Sequence, residues 1–471
     1  MDRPVASGEE GSRTGQVMQM IRDRIDRRSL VPGSRIPSVR AMAGLAGVSK
    51  STVVEAYDRL AAEGVIRARR GSGFYVAAPL APLTLDRIGP DVEPEIDPLW
   101  MLRQSLRTSA GAALPGCGWL PETWFEEDGV RKALRQVARS GDGPPAYSPA
   151  QGPVPLRTVF ARRLTDQGVA VGPDQILLTD SGTHALDLIC RFLLAPGDAV
   201  LVDDPCYFNF LALLRAHRVT AVSVPMTPQG PDLQAFTVAV EQHRPRMYLT
   251  TSAVHNPTGV TVAATSVHRV LKIAEQNGLI VVEDDIFADF EGSPSPRYAA
   301  FDGLDRVIRI GSLSKSLSTG VRCGFIAANP EWIAALTDLR IATSMGGSSL
   351  SAAVLHTVLT DGSYRRHMDR VRARLDQCRE VTLGCLRSLG LTPWVEPSAG
   401  LFLWMLLPEG QDAVALARQA QAEGVILAPG PVFSASGGWR DALRINVAHC
   451  EDRRLEHFLS RCLGRCVSPE A

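Results

Sequence analysis

The sequence predicts a multidomain chain. A small N-terminal helical unit closed by a β-hairpin precedes an α/β body with a mostly parallel sheet and a smaller C-terminal α+β portion. Three observations carry this. The 471 residues correspond to two to four domains at roughly 100–200 residues each. Residues 79–98 hold five prolines and five carboxylates and no apolar period, the composition of an extended, semi-stiff linker. From about Leu99 onward, short apolar runs alternate with longer stretches of helical period.

Element by element, residues 16–29 put Val17, Ile21 and Ile25 on one helical face, with Arg and Asp opposite. Ser38 reads as the N-cap of a short helix ending at Ala46, and Gly47-Val48-Ser49 as a tight break. Lys50 to Glu63 form a second helix that buries Val53, Ala56, Tyr57 and Leu60, and Gly64 ends it. Two short β segments follow, Val65–Arg67 and Gly73–Val76. The order helix, helix, tight turn, helix, hairpin is that of a winged helix-turn-helix. In the body, strands are expected at 176–179, 199–202, 247–251, 279–283 and 307–311, alternating with helices at 183–194, 208–216, 263–276 and 330–342. A long helical stretch near 363–389 leads to strands near 401–407, 425–428 and 443–447. The expected domains are 12–78, the linker 79–98, and a body over 99–466, its large part about 140–345 and its small part about 363–466.

Charge and composition narrow the function. The net charge is zero, yet residues 1–78 carry thirteen basic against eight acidic side chains, an excess matched by the opposite deficit in the body. A basic head on an acidic body suits a head that meets a polyanion. No apolar run is long enough to span a bilayer and Met1 to Gly15 hold no apolar signal core, which points to the cytoplasm. The nine scattered cysteines contain no C-x-x-C pair, which argues for reduced thiols and against a zinc site. Only four lysines occur, Lys50, Lys132, Lys272 and Lys315, so lysine chemistry has few places to go.

In a helix-turn-helix the start of the second helix faces base edges. Here that start is Ser49, Lys50, Ser51 and Thr52, short hydroxyls and a lysine that suit phosphates or bases. Arg40 would lie over the backbone, and Arg67, Arg69 and Arg70 crowd the wing, where Gly71 permits the turn. A protein-binding module is the competing reading; charge, hydroxyls and an Arg-rich wing in one element favour DNA. The segment PGSRIPSVRAMAGLAGVSKSTVVEAYDRLAAEGVIRARRGSGFYV resembles the GntR-type winged helix almost throughout. That resemblance implies DNA contact by Arg40, Ser49, Lys50, Ser51, Thr52, Arg70 and Gly71.

In the body, SLSKSLSTGVR (312–322) follows an expected strand, and a lysine at the C-terminal end of a parallel strand faces the ligand crevice. With serines before it and Arg322 after it, Lys315 suits a Schiff base with a phosphate-bearing aldehyde, if its neighbours lower its pKa. Ser181-Gly182-Thr183-His184 opens a helix whose N–H groups would hold a phosphate. Asn256, in HNPTG, can donate to a phenolate. A carboxylate of Glu283-Asp284-Asp285, at the end of its strand, can pair with a pyridine nitrogen and keep the ring an electron sink. Tyr207 offers a face for stacking. Each has a dull alternative as a cap, a turn or a solvated pair; their shared sheet edge joins them.

These motifs resemble the fold-type I aminotransferases of the aspartate aminotransferase class over about residues 99–466. The resemblance implies pyridoxal 5'-phosphate held at Lys315, with Asp284 on the pyridine nitrogen, Asn256 on the ring oxygen and Tyr207 stacked on the ring. Gly182, Thr183, Ser312 and Arg322 would hold the phosphate, with Tyr147 reaching over from a partner subunit. Arg444, in LRINVAH, matches the arginine that clamps a substrate α-carboxylate through its planar fork; a structural salt bridge is its other reading. One departure stands out: where the family has a tyrosine after Asp284, this chain has Phe287, which removes one hydrogen bond to the ring oxygen and puts efficient transamination in question.

Head and body together resemble the MocR regulators. The resemblance implies a head-to-tail homodimer and a transcription regulator whose effector is an amino acid, an amine or the B6 cofactor itself. An active aminotransferase with an appended DNA-binding module is the alternative, and a body that serves only to dimerise is a third.

Overall fold

The computed structural model describes residues 12–26, 30, 33–69, 73–77, 100, 103, 111–140 and 147–464. The chain divides into two compact units, Met1–Glu93 and Pro94–Ala471.

The first unit packs helix α1 (Arg13–Asp26) and helix α2 (Val39–Ala46) against helix α3 (Lys50–Ala62). Ser38 caps α2 by accepting from the Ala41 N–H, and Gly47 ends that helix in the left-handed region at φ 65°. Val17, Ile21, Val53, Ala56, Tyr57 and Leu60, which the sequence predicts, close the core together with Met42, and the predicted Ile25 packs against it partly buried. Tyr57 is anchored at both ends: its hydroxyl donates to Pro37 O at 2.8 Å, and its ring meets Phe74 edge-on at 5.1 Å. Strand β1 (Ile66–Arg69) pairs antiparallel with β2 (Gly73–Val76), with Ile66 opposite Val76. The first helix begins three residues before the expected start. Arg70, Gly71 and the linker 79–98 lie outside the described residues.

The second unit is built on an eight-stranded sheet in the order β3-β10-β9-β8-β7-β4-β5-β6. Its strands are β3 (Ile176–Thr179), β4 (Ala199–Asp204), β5 (Thr220–Thr227), β6 (Gly230–Pro231), β7 (Met247–Thr250), β8 (Ile280–Asp284), β9 (Val307–Ser312) and β10 (Gly324–Ala327). The pairs β5–β4–β7–β8–β9 are parallel, and β10 runs antiparallel to both β9 and β3. Strand β3 therefore points the same way as β9, and the C-terminal ends of β3, β4, β7, β8 and β9 share one edge. Helices cover both faces. Leu186, Ile189, Leu214 and Leu336 form the apolar layer on one side, and Phe160, Phe236, Val267 and Val270 belong to that on the other.

Three strands of this sheet escape the sequence pattern, the two-residue β6 among them. Strand β10, Gly-Phe-Ile-Ala, is too short and too uniformly apolar to show a period, and its reversed direction makes the sheet mixed. Strand β5 carries Pro225, a residue that disfavours a strand.

The helix Ser363–Ser388 leads to a four-stranded antiparallel sheet in the order β11-β12-β14-β13, from β11 (Thr392–Pro393), β12 (Phe402–Leu406), β13 (Ala428–Pro429) and β14 (Ala442–Asn446). The strand expected at 425–428 pairs with β14 only from Ala428. Its earlier residues bridge instead to Ala113, whose N–H donates to Gly424 O and whose carbonyl accepts from Ile426 N–H, both at 2.9 Å.

Candidate functional site

The shared edge gathers what the sequence scatters. Ser181 follows β3 and caps the helix Gly182–Leu193 by accepting from His184 N–H at 3.0 Å, which leaves the Gly182 and Thr183 amides at the helix start. Gly324, opening β10, makes this possible. A β-carbon there would lie 2.6 Å from Ser181 C and 2.8 Å from Gly182 N, so only glycine lets the reversed strand lie against the turn. Gly182, Thr183, Tyr207, Asp284, Ser312, Lys315 and Arg322 all line one cavity of about 100 Å³. Ser181, Asn209, Ile286 and Ser314 line it too; of these, Asn209 and Ile286 carry no sequence signal beyond standing beside Tyr207 and Asp284.

The electrostatics follow from burial. Lys315 borders the cavity, and desolvation pulls its ammonium down to about 8. Among the described residues it makes no hydrogen bond or ion pair; its one contact of note is the Trp119 ring, whose centroid lies 5.5 Å from Nζ. Burial pushes Asp284 up to about 7, against one backbone hydrogen bond from Ile286 N–H at 3.3 Å. Behind it Asp285 is held by the buried guanidiniums of Arg297 and Arg309. Burial also lifts the Tyr207 phenol to about 12, so it stays neutral.

Asn256 and Arg444 meet. Arg444 Nη1 donates to Asn256 Oδ1 at 2.8 Å and Nη2 donates to Gly116 O at 2.7 Å, while its buried Nε has no partner among the described residues. The guanidinium is fully buried among Phe402, Phe433 and Phe208, and no carboxylate pairs with it among the described residues. Desolvation pushes it down to about 10. A cation so placed is costly unless an anion joins it. Asn256 itself is set by its neighbour: His255 Nε2 lies 3.3 Å from Asp203, and His255 Nδ1 lies 2.8 Å from the Thr258 hydroxyl. Asp203 also accepts from Tyr248 and Thr250. Phe287 is buried against Phe402 and Phe290. Tyr147 is 82% exposed and is not among the described residues that line this chain's own cavity.

In the head, Arg40, Lys50 and Ser51 are exposed. Ser49 caps α3 by accepting from Thr52 N–H at 3.2 Å, and its hydroxyl bonds those of Ser51 (2.7 Å) and Thr52 (2.8 Å). Part of the hydroxyl set thus builds the helix start.

These groups fit pyridoxal phosphate. An ammonium without an ionic partner stands ready for the aldehyde, and a buried carboxyl that lacks a cation suits the pyridine nitrogen. Helix-start amides, serines and an arginine suit the phosphate, and all line one cavity.

Comparison with known proteins agrees. Residues 127–462 match the family "Aminotransferase class I and II", and residues 13–76 match "Bacterial regulatory proteins, gntR family". The chain is 30% identical to the HTH-type transcriptional regulator YdcR of Escherichia coli over 96% of its own length and 98% of that protein's. It is also 30% identical to a 2-aminoadipate transaminase of Thermus thermophilus, over 74% of this chain and 87% of that one. The α-aminoadipate aminotransferase LysN of Thermus thermophilus, solved with N-(5'-phosphopyridoxyl)-L-leucine, superposes with a TM-score of 0.69 at 28% identity, covering 77% of this chain and 95% of its own. The cofactor of the body is pyridoxal phosphate, and the chain belongs to the gntR-type regulators whose body is of the aminotransferase class I and II family.

Proposed function

We propose that the chain is a DNA-binding transcription regulator that senses an amino acid, an amine or the B6 cofactor through Lys315. The observation that carries the sensing role is Arg444, a buried guanidinium that lacks an anionic partner among the described residues and acts electrostatically on Lys315. When bound, pyridoxal phosphate supplies an aldehyde for a primary amine and a ring that takes up electrons. The residues do the rest. Lys315, whose ammonium titrates near 8, offers a neutral amine at mildly alkaline pH and can pass a proton. Asp284 holds the proton of the ring nitrogen, and Tyr207 covers the ring. Gly182, Thr183, Ser312 and Arg322 fix the phosphate. Asn256 donates to the ring oxygen through the amide end opposite its bond to Arg444. Arg444 orients a ligand carboxylate.

Regulation requires that the ligand bind two arrangements of the protein unequally. A head-to-tail homodimer in the cytoplasm, with the partner's Tyr147 completing the phosphate site, would convert that bias into the spacing of two heads on DNA. The domains serving this are 12–78, the linker 79–98 and the body 99–466, and Arg40, Ser49, Lys50, Ser51, Thr52, Arg70 and Gly71 are the proposed DNA contacts.

The test is a visible-absorbance titration of the holo-protein with amino acids and amines, followed by borohydride reduction. The expected result is cofactor fixed to the peptide containing Lys315 when no ligand is present, and less of it fixed there when a subset of ligands is added before reduction; cofactor fixed elsewhere overturns the role of Lys315. A second reading, an active transaminase, is favoured by Lys315, Asp284 and Tyr207 lining one cavity. Multiple turnovers with an amino donor and a keto acceptor would establish it; a single half-reaction that stops would not.

A further inference from the structure

The segment Pro115–Trp119 lies across both Lys315 and Arg444, and it is fastened rather than draped. Gly116 N–H donates to Ile426 O at 2.8 Å, and Asn446 N–H donates to Pro115 O at 2.7 Å. The Asn446 side-chain amide donates to Cys117 O at 3.1 Å and to Trp119 O at 2.8 Å, and His449 Nε2 donates to Trp119 O at 3.1 Å. His449 is neutral at pH 7, since burial lowers its pKa, so Nε2 carries its single proton to that carbonyl. Gly116 admits no β-carbon, which would stand 2.6 Å from Ala428 N. A β-carbon on Gly118 would come within 3.7 Å of Arg444 Nη2, so the bare backbone there borders the guanidinium.

This clamp presents one large side chain. The Trp119 ring is partly exposed, takes part in no ring pair and makes no indole hydrogen bond among the described residues, and its face stands 5.5 Å from Lys315 Nζ. An aromatic ring without an aromatic partner among the described residues, on backbone held by four hydrogen bonds from one strand end and its turn, is a prepared surface.

We propose that Trp119 is the specificity-determining wall for the ligand's side chain, and that the ligand is an α-amino acid with an apolar or aromatic side chain. This rests on the sensing reading above. The ligand's amino nitrogen takes the place of Lys315 Nζ, and its carboxylate joins Arg444. The side chain on the carbon between them then lies within reach of the indole. Among the described residues that line the cavity the one cation besides Lys315 is Arg322, on the phosphate side, so none stands there for a second carboxylate. Dicarboxylic ligands are therefore disfavoured, and flat or branched apolar ones gain contact area.

The experiment titrates holo full-length protein with L-phenylalanine, L-leucine, L-glutamate and L-aspartate, reading the visible absorbance, for wild type, Trp119→Phe and Trp119→Ala. Wild type is expected to bind phenylalanine and leucine more tightly than the two dicarboxylates. Trp119→Ala should weaken phenylalanine by about tenfold, the equivalent of a lost aromatic contact, while glutamate changes little. Trp119→Phe should restore most of the loss, with the cofactor band intact in all three. Glutamate or aspartate as the tightest wild-type ligand, or an equal loss across the panel, overturns the proposal and leaves the sensing reading standing. A wild-type spectrum unmoved by every amino acid overturns the proposal and confines the sensing reading to amines and the cofactor.

Discussion

Lys315 and Asp284 show how burial, above the charges beside them, sets reactive groups. A neutral amine is the reacting form, and the Lys315 ammonium titrates near 8 rather than 10.5. Capture of pyridoxal phosphate by apo-protein should therefore quicken about tenfold per pH unit and level off near pH 8; levelling only near pH 10 would show a solvated lysine. Asp284 works in the opposite sense. Its native pKa of about 7 exceeds the unfolded 3.8, so the folded apo-protein holds a proton that the unfolded chain has lost. Its contribution is fully present below pH 3.8 and is lost as pH rises to 7, by about 1.4 kcal/mol per unit. The difference in unfolding free energy between wild type and Asp284→Asn, measured without cofactor over that window, should show this slope; a flat difference would refute it. Addition of cofactor should remove the slope, because a ring nitrogen then shares the proton.

At the scale of elements, local signals were legible and long-range ones were not. Ser38, Gly47, Ser49 and Gly64 punctuate the head correctly because a cap involves groups within three or four residues. The strand-end motifs were legible because each stands directly after its own apolar run. The bond between Asn256 and Arg444 joins positions 188 apart and leaves no mark in spacing. Trp119 sits in a glycine- and proline-rich stretch without period, so nothing in the sequence assigns it to the cavity. The reversal of β10 was equally hidden, although Gly324 recorded it: only the packed structure shows why that position has no side chain. Gly324→Ala should force the Ser181–Gly182 turn away from β10 and weaken cofactor binding by about tenfold or more, a loss on the scale of overpacking against backbone. Equilibrium dialysis against pyridoxal phosphate reads this directly, and unchanged affinity would mean that the turn yields at no cost.

For the whole molecule, the charge division between head and body is the feature with a measurable consequence. Lys50 is exposed at the start of α3. Lys50→Ala should lower the slope of log affinity for duplex DNA against log salt by about 1, the release of one condensed counterion, and leave the cofactor spectrum unchanged. A slope equal to wild type would remove Lys50 from the phosphate contacts. The two-unit organisation was legible from composition because a proline- and carboxylate-rich stretch cannot bury a core, whereas which ligand the body answers to is written only in side chains that meet after folding.

The ladder that sets Ser312 opposite Gly324 has a practical corollary. It staples both ends of the lysine-bearing loop, and Thr319, Gly320 and Arg322 lie exposed between those ends. A trypsin nick after Arg322 should sever the polypeptide without freeing either fragment under native conditions, and phosphate groups seated on that arginine should slow the cut, turning a simple gel into a gauge of occupancy.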